Sequence, residues 1–462
     1  MFIGRANELK TLERLYSSDK FEFVVIYGRR RIGKTALINH FVKDKRCIYF
    51  TGVESNEKQN LDNFSKAVFD YSGMEAGAVF TSFQNALENL FKLSLNEKLI
   101  LVIDEYPYVA RSSAGFSSTL QMLIDEYKDS SKMKLILCGS SMSYMVDNVL
   151  AYKAPLYGRR TAQMKIQPFT FSEASEYFSD MAPVDKALMY GIAGGTPQYI
   201  LQMDSKLSVR ENIINTFFEP SSFLFEEPVN LLKQEVREPA LYTAIITAVA
   251  SGASRLSEIS SKVGENTNVC STYIKNLIGP EIIEKETPYG EKESKRSIYK
   301  ITDNMFRFWY RFVLPNNSLI SRGAGDMVYS RIEPMLSDHM GAVFEDMCKQ
   351  YLWSQLLQGK SPVEFNSLGR WWGNDPVEKC QTEIDIMGEG LRDKNTALFA
   401  ECKWKNELTT HDVLELLIKR SRLFKYTDVH YVLFSKSGFT DKCRETAEKL
   451  GKVQLVSYED MV

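Results

Sequence analysis

The sequence contains no run of the 18 or so apolar residues that a helix needs to cross a bilayer. Its longest apolar blocks, such as Leu99 to Ile103, have the length of a buried strand. The opening segment MFIGRANELK lacks the apolar centre of a signal peptide, so neither secretion nor membrane insertion is expected. Cysteine is sparse: seven, an odd number, never in a CxxC pair. That excludes a disulfide framework and a structural zinc site, and each cysteine reads as a small buried hydrophobe in a reducing cytoplasm. The histidines at 40, 339, 411 and 430 are isolated, offer no metal-spaced pair, and are assigned to core or surface. An excess of positive charge is also missing. Against 57 Lys and Arg stand 59 Asp and Glu, a formal net charge of −2, which confines any nucleic-acid contact to local patches. Repeats and low-complexity tracts are absent.

What remains is the composition of an ordinary globular protein, with 44% hydrophobic and 25% charged residues in 462 positions. At roughly 150 residues per domain this is a chain of about three domains. Residues 1–166 alternate short β-rich runs with helical patterns. Phe21–Tyr27, Arg46–Thr51, Leu99–Asp104 and Lys134–Ser141 read as strands; Gln59–Tyr71, Phe83–Lys92 and Ser117–Tyr127 have helical period. Three of the four strands are nearly unbroken apolar runs, as in a parallel sheet covered on both faces, and the alternation predicts an α/β fold. Residues 167–220 show no strand and read as a small helical subdomain, followed by a loop with Pro220, Ser221, Ser222 and Pro228. Residues 235–312 read as three helices (Tyr242–Ala250, Leu256–Val263, Val269–Leu277) and a charged two-strand stretch around Pro288-Tyr289-Gly290, the order of a winged helix-turn-helix. After Pro315-Asn316-Asn317 comes a connector, and residues 330–462 then read helix, three strands, helix, strand, helix, strand.

Gly28-Arg29-Arg30-Arg31-Ile32-Gly33-Lys34-Thr35 matches GxxxxGK[ST] directly after a strand and before a helix, the context the motif requires. The glycines let backbone N–H groups turn toward phosphate oxygens, and the following helix presents its positive end. ATP with Mg²⁺ is the expected ligand pair: Lys34 meets the β- and γ-phosphates and the Thr35 hydroxyl meets the metal. Asp104, at the end of the third strand, is placed in the magnesium shell. Glu105 faces another way and is placed to polarise water, so hydrolysis rather than mere binding is expected. Ser140 and Ser141 end the fourth strand, either reaching the γ-phosphate or forming a turn. Arg159 and Arg160 read either as a transition-state cation, in cis or from a second subunit, or as a surface pair.

These segments, together with Phe2-Ile3-Gly4-Arg5, Leu156-Tyr157-Gly158-Arg159-Arg160, Gly194-Gly195-Thr196-Pro197-Gln198-Tyr199 and Arg307-Phe308-Trp309-Tyr310, resemble the archaeal-type ATPase family of the AAA+/STAND superclass, in the branch with a restriction-endonuclease-like C-terminal domain. The resemblance spans essentially the whole chain. It implies a P-loop NTPase sheet with a helical lid, Ile3-Gly4-Arg5 near the adenine, and Gly194–Pro197 in the lid. One departure is that no clear lid arginine of the nucleotide-sensor type is present.

Toward the C-terminus, alternation puts Glu383 and Asp385 on one face of a strand, and Glu401 and Lys403 on one face of the next, after a turn at Gly388 to Asn395. Pairing of the two strands would bring Asp385, Glu401 and Lys403 together. Carboxylates that fix Mg²⁺ and a lysine that stabilises charge suit phosphodiester hydrolysis; Glu345 in the preceding helix adds an outer acidic ligand. The pattern is similar to the PD-(D/E)XK nuclease fold, without its leading proline. Trp371-Trp372 reads as domain core. In the third helix of the winged segment, Asn268, Ser271, Thr272, Lys275 and Asn276 suit a DNA groove. The wing's Lys292, Lys295 and Arg296 are offset by acidic neighbours, five acidic against five basic between Glu281 and Lys300. DNA binding and docking of a protein partner both remain open for this segment, as does a homo-oligomer.

Overall fold

A computed structural model describes residues 2–73, 79–235, 239–292 and 294–462; Glu293, counted above among the acidic wing residues, lies outside them. Contacts gather the chain into two units, Met1–Pro168 with Thr196–Gln198, and Phe169–Gly195 with Tyr199–Val462. Among the described residues no helix is long and apolar enough to cross a membrane, and all seven cysteines are free thiols.

The first unit is built on five parallel strands: β1 (Glu22–Tyr27), β2 (Cys47–Thr51), β3 (Ile100–Asp104), β4 (Lys134–Gly139) and β5 (Ala162–Lys165), in the order β2-β3-β4-β1-β5. Because side chains alternate along a strand, Phe23, Val25, Leu101, Ile103, Leu135 and Leu137 pack on one face, against helices Glu57–Ser72, Phe83–Leu93 and Phe116–Tyr127. Val24, Ile26, Ile100, Val102 and Ile136 pack on the other, against helices Ala6–Ser17 and Lys34–Val42. The unbroken apolar runs thus reflect burial on two faces. Sequence patterning did not reveal β5. Its Ala-Gln-Met-Lys has no apolar run, because as an edge strand it buries only Met164. With all strands parallel, their carboxyl ends share one rim of the sheet, where loops after β1, β3 and β4 emerge together.

In the second unit, helices Phe171–Tyr177, Pro183–Ala193, Val209–Phe217 and Phe223–Glu235 precede a three-helix set, Pro239–Ala250, Leu256–Val263 and Thr267–Ile278. An antiparallel hairpin follows, β6 (Ile283–Glu286) with β7 (Ile298–Ile301). Pro228, expected in a loop, lies inside helix Phe223–Glu235. An internal proline costs a helix about 3 kcal/mol; here burial of Leu224, Leu231 and Leu232 opposes that cost, and the Trp309 indole donates to the Phe225 carbonyl at 2.8 Å. The connector expected after Asn317 is helical, and runs into the long helix Leu336–Leu357. Then come β8 (Gly369–Asp375), β9 (Cys380–Glu389), β10 (Thr396–Lys403), β11 (Asp428–Ser435) and β12 (Val453–Ser457), ordered β12-β11-β10-β9-β8. Helices His411–Ser421 and Asp441–Leu450 join the last three, which are parallel, while β8, β9 and β10 are antiparallel. The order of elements is the one read from the sequence, except that β9 continues through Gly388 and shortens the expected turn. One apolar cluster running from Phe169 to Tyr458 binds these parts together.

The loop of the β6–β7 hairpin lies against β8, an edge strand. Tyr289 donates its N–H to the Arg370 carbonyl at 2.8 Å and accepts from Glu389 N–H at its hydroxyl at 2.9 Å. Arg296 donates to the Trp372 carbonyl at 2.9 Å, and the Trp372 indole returns a bond to the Arg296 carbonyl at 3.0 Å. The hairpin therefore covers backbone groups that an open edge would expose. Trp371, partly buried, packs with Phe424 against the apolar cluster around Phe399 and Leu417.

Close backbone approach leaves no room for a side chain at Gly195. A Cβ on Gly195 would stand 2.0 Å from the Phe169 carbonyl oxygen, whose residue donates its N–H to the Gly195 carbonyl at 2.7 Å. Gly195→Ala is expected to cost about 1–3 kcal/mol, read as a lower apparent melting temperature; an unchanged melt would refute the crowding.

Candidate active site

The loop after β1 turns because two glycines permit it. A Cβ on Gly28 would stand 2.7 Å from the Ile166 carbonyl oxygen, and Gly33 has φ +86°, left-handed backbone that favours glycine. Between them the loop curls around a buried cation: Lys34 Nζ donates to the Gly28 carbonyl at 3.0 Å and the Arg29 carbonyl at 2.9 Å. Burial draws the Lys34 ammonium below its ordinary pKa, with Glu105 and Asp104 among the groups opposing the shift. The N-terminal segment supports the loop, since Arg5 donates to the Ile32 carbonyl at 3.1 Å. Gln198 N–H reaches the Arg31 carbonyl at 3.4 Å, and Arg30 donates to the Tyr108 hydroxyl at 3.2 Å.

At the end of β3, Asp104 is a nearly fully buried carboxylate. Its Oδ2 accepts from Thr35 Oγ1 at 2.9 Å and from the Tyr49 hydroxyl at 2.8 Å, and its Oδ1 accepts from Glu105 N–H at 2.9 Å. Burial, then the Asp104 charge, raises the Tyr49 phenol and keeps it a donor. Glu105 stands in left-handed backbone, φ 48° and ψ 44°, a strain of about 1–3 kcal/mol for a non-glycine residue. That turn swings its side chain away from Asp104, and Ser140 donates to Glu105 Oε2 at 2.8 Å. Lys34, Thr35, Asp104, Glu105 and Ser140 thus form one linked set. Ser141 stands instead at the start of the short helix Met142–Met145. Tyr49 was not read from the sequence. Only the pairing of Thr51 with Asp104 in the β2–β3 register brings its hydroxyl within reach. The oxygen donors of Thr35 and Asp104, already in contact and facing a buried lysine, fit a hard divalent cation such as Mg²⁺.

The two arginines separate clearly. Arg159 forms a two-pronged pair with Asp125, at 2.9 and 2.6 Å, and also donates to the carbonyls of Pro155 and Tyr157. Arg160 lies over the Tyr157 ring at 5.7 Å, and its buried Nη1 has no hydrogen-bond partner.

In the second unit, the antiparallel register pairs Ala400 with Ile386, which sets Glu401 beside Asp385. Asp385 Oδ2 accepts from Cys402 N–H at 2.9 Å. Lys403 donates to Glu401 at 2.7 Å, and Arg420, from helix His411–Ser421, donates to both Glu401 oxygens at 3.3 Å. Arg370 on β8 binds Glu383. Glu345 projects from helix Leu336–Leu357, its carboxyl raised by burial against the pull of Arg370. Burial, then Glu401 and Glu345, pushes Asp385 up to about 7. Glu401 and Asp385 hold the Lys403 ammonium above its ordinary value although burial opposes them. Arg370 and Arg420 come from elements remote in sequence, so no spacing announced them. Carboxylate oxygens suit Mg²⁺, yet Glu401 is engaged by two cations. Among the described residues, the one trio of candidate ligands with atoms all within 4.8 Å of one another is His411, Asp412 and Glu415, on an exposed helix start.

An ionised Asp385 opposes folding, because its folded-state pKa lies above the unfolded one. The stability it contributes is full below pH about 4 and is lost as pH rises through about 7. Asp385→Asn is therefore expected to melt at a higher temperature than the parent chain at pH 8 in metal-free buffer. The gap should close toward pH 4, and equal melting temperatures by calorimetry at pH 8 would contradict the assignment.

Residues 2–203 match the family described as an ATPase domain predominantly from Archaea. Residues 309–415 match one described as Archaea bacterial proteins of unknown function, a span that includes Glu345, Asp385, Glu401 and Lys403. The uncharacterized protein MJECL04 of Methanocaldococcus jannaschii is 34% identical over 445 residues, covering 94% of this chain and 96% of its own. From the same organism, the uncharacterized ATP-binding protein MJ0423 is 46% identical over 46 residues, 10% of this chain and 78% of its own. Among solved structures, the Walker-type ATPase PABY2304 of Pyrococcus abyssi superposes with a TM-score of 0.50 at 19% identity, over 67% of this chain and 96% of its own, a likeness of fold.

Proposed function

The chain belongs to the family of its full-length Methanocaldococcus jannaschii relative and carries an archaeal-type ATPase domain; on that premise we propose a Mg²⁺-dependent ATP hydrolase whose nucleotide state governs DNA binding and cleavage through its C-terminal part. The observation that carries the hydrolase reading is the linked set around Asp104, with Glu105 held apart on Ser140. The triphosphate would lie along the loop's backbone N–H groups, with Lys34 freed from the Gly28 and Arg29 carbonyls to meet it. Mg²⁺, when bound, offsets charge on the β- and γ-phosphates, and Thr35 and Asp104 are the residues to hold it. Glu105, released from Ser140, takes the proton of the attacking water. Arg160, rather than Arg159, is the candidate cation for the transition state, because Arg159 already serves Asp125.

DNA recognition is assigned to helix Thr267–Ile278, the third of a winged helix-turn-helix, where Asn268, Thr272 and Lys275 are exposed. Asn276 is less available, donating to the Tyr242 hydroxyl at 2.9 Å. Cleavage is assigned to Asp385, Glu401 and Lys403 in a PD-(D/E)XK arrangement, with Glu345 as the outer ligand. A second reading, an ATP-driven switch with an inert nuclease-like part and a protein-docking hairpin, draws on two observations: Lys403 and Arg420 both occupy Glu401, and the hairpin loop is committed to β8.

Glu105→Gln is expected to keep ATP binding and lower turnover by roughly 10²–10⁴. Arg160→Ala should lower it by up to roughly 10³ and Arg159→Ala far less; equal losses at both arginines in a phosphate-release assay would overturn the assignment. Supercoiled plasmid with Mg²⁺ or Mn²⁺ separates the two functions. Nicking abolished by both Asp385→Ala and Lys403→Ala supports the nuclease. No nicking by the parent chain, with ATP turnover indifferent to duplex DNA, supports the switch.

A further inference from the structure

We infer that Tyr49 is a positioning residue for the ATPase reaction, one that sets the affinity for the divalent cation by holding Asp104. The inference rests on the reading of Thr35 and Asp104 as the residues that hold Mg²⁺, and adds a third. Tyr49 belongs to β2, the edge strand beside β3. Its ring lines an open cavity of about 520 Å³ with Cys47, Thr51, Lys66, Asp70 and Tyr71, and its hydroxyl reaches to Asp104 Oδ2 at 2.8 Å.

The same oxygen accepts from the Thr35 hydroxyl at 2.9 Å. A carboxylate oxygen has about two lone-pair positions, so two hydroxyls from different elements, one on the phosphate loop's helix and one on the edge strand, share a single acceptor. Glu105 N–H fixes the other oxygen. Asp104 is thereby held on three sides, and with its proton committed to Asp104 the Thr35 oxygen would keep its lone pairs for a divalent cation. Without the Tyr49 hydroxyl, Asp104 can rotate about its terminal torsion, which is broad, and Thr35 turns with it. Ordering Asp104 before an ion arrives removes that cost from metal binding.

Tyr49→Phe removes the hydroxyl and keeps the ring, and the open cavity beside it imposes no repacking. The test measures binding of a fluorescent, slowly hydrolysed ATP analogue to the full chain as Mg²⁺ is titrated, for the parent, Tyr49→Phe, Asp104→Asn and the double variant. The expected result is a rise of roughly tenfold in half-saturating Mg²⁺ for Tyr49→Phe, the scale of one hydrogen bond to a charged group. Metal-free affinity for the analogue should be unchanged, and Tyr49→Phe should add nothing in the Asp104→Asn background. An unshifted Mg²⁺ titration, an equal loss with and without metal, or the full shift persisting beside Asp104→Asn would each overturn the role of Tyr49. A parent chain whose analogue binding ignores Mg²⁺ would overturn the metal reading, and this inference with it.

Discussion

A buried carboxylate at the end of a buried strand organises the ATPase unit. An isolated anion at Asp104 would be expensive in so apolar a setting. The fold makes it tolerable with two hydroxyls and a backbone N–H, and with the ammonium of Lys34 at the start of the helix after β1. Three parts of the unit deliver those groups: the helix after β1, which carries both Lys34 and Thr35, the edge strand β2, and the turn after β3. The parallel sheet is the reason they meet, because parallel strands release all their following loops on the same rim. Two-sided burial of Val102 and its neighbours then keeps the rim rigid.

Strain and restraint are combined at the next residue. Glu105 occupies left-handed backbone, and its carboxylate rests on Ser140 at the end of the adjacent strand. On the proposed reading, in which Glu105 is the base, its hold on the Ser140 hydroxyl makes its release depend on what sits above it. The second unit concentrates charge differently. Asp385, Glu401, Glu345, Lys403, Arg370 and Arg420 gather where the sheet meets the helix Leu336–Leu357 and the helix after β10. Burial, and then the neighbouring carboxylates of Glu401 and Glu345, raise the Asp385 pKa although cations stand nearby. That perturbed carboxylate is one of the observations behind the site proposed for the C-terminal part.

Most of the ATPase unit was legible in the sequence. Lys34, Thr35, Asp104 and Glu105 lie in contiguous motifs whose flanking strand and helix are themselves visible as apolar runs and helical period. The C-terminal order of helices and strands was legible for the same reason, and alternation alone put Glu401 and Lys403 on one face. What escaped did so on physical grounds. β5 is an edge strand with little to bury. Pro228 reads as a helix breaker, and only the surrounding core overrules it. Between Glu281 and Lys300 the basic residues read as offset by acidic neighbours, but nothing local announced that Arg296 also binds the Trp372 carbonyl.

The sequence by itself determined which chemistry the chain can carry. Backbone turns, the charged ends of strands and side-chain alternation are local properties, written within a few residues of one another. Tertiary structure alone decided which of two adjacent arginines is engaged, which tyrosine supports Asp104, and which second cation, Arg420, reaches Glu401. Those outcomes depend on strand register and on packing between elements far apart in the chain, such as β2 against β3 and the helix after β10 against the strand that bears Glu401. No periodicity within a segment encodes distances of that kind.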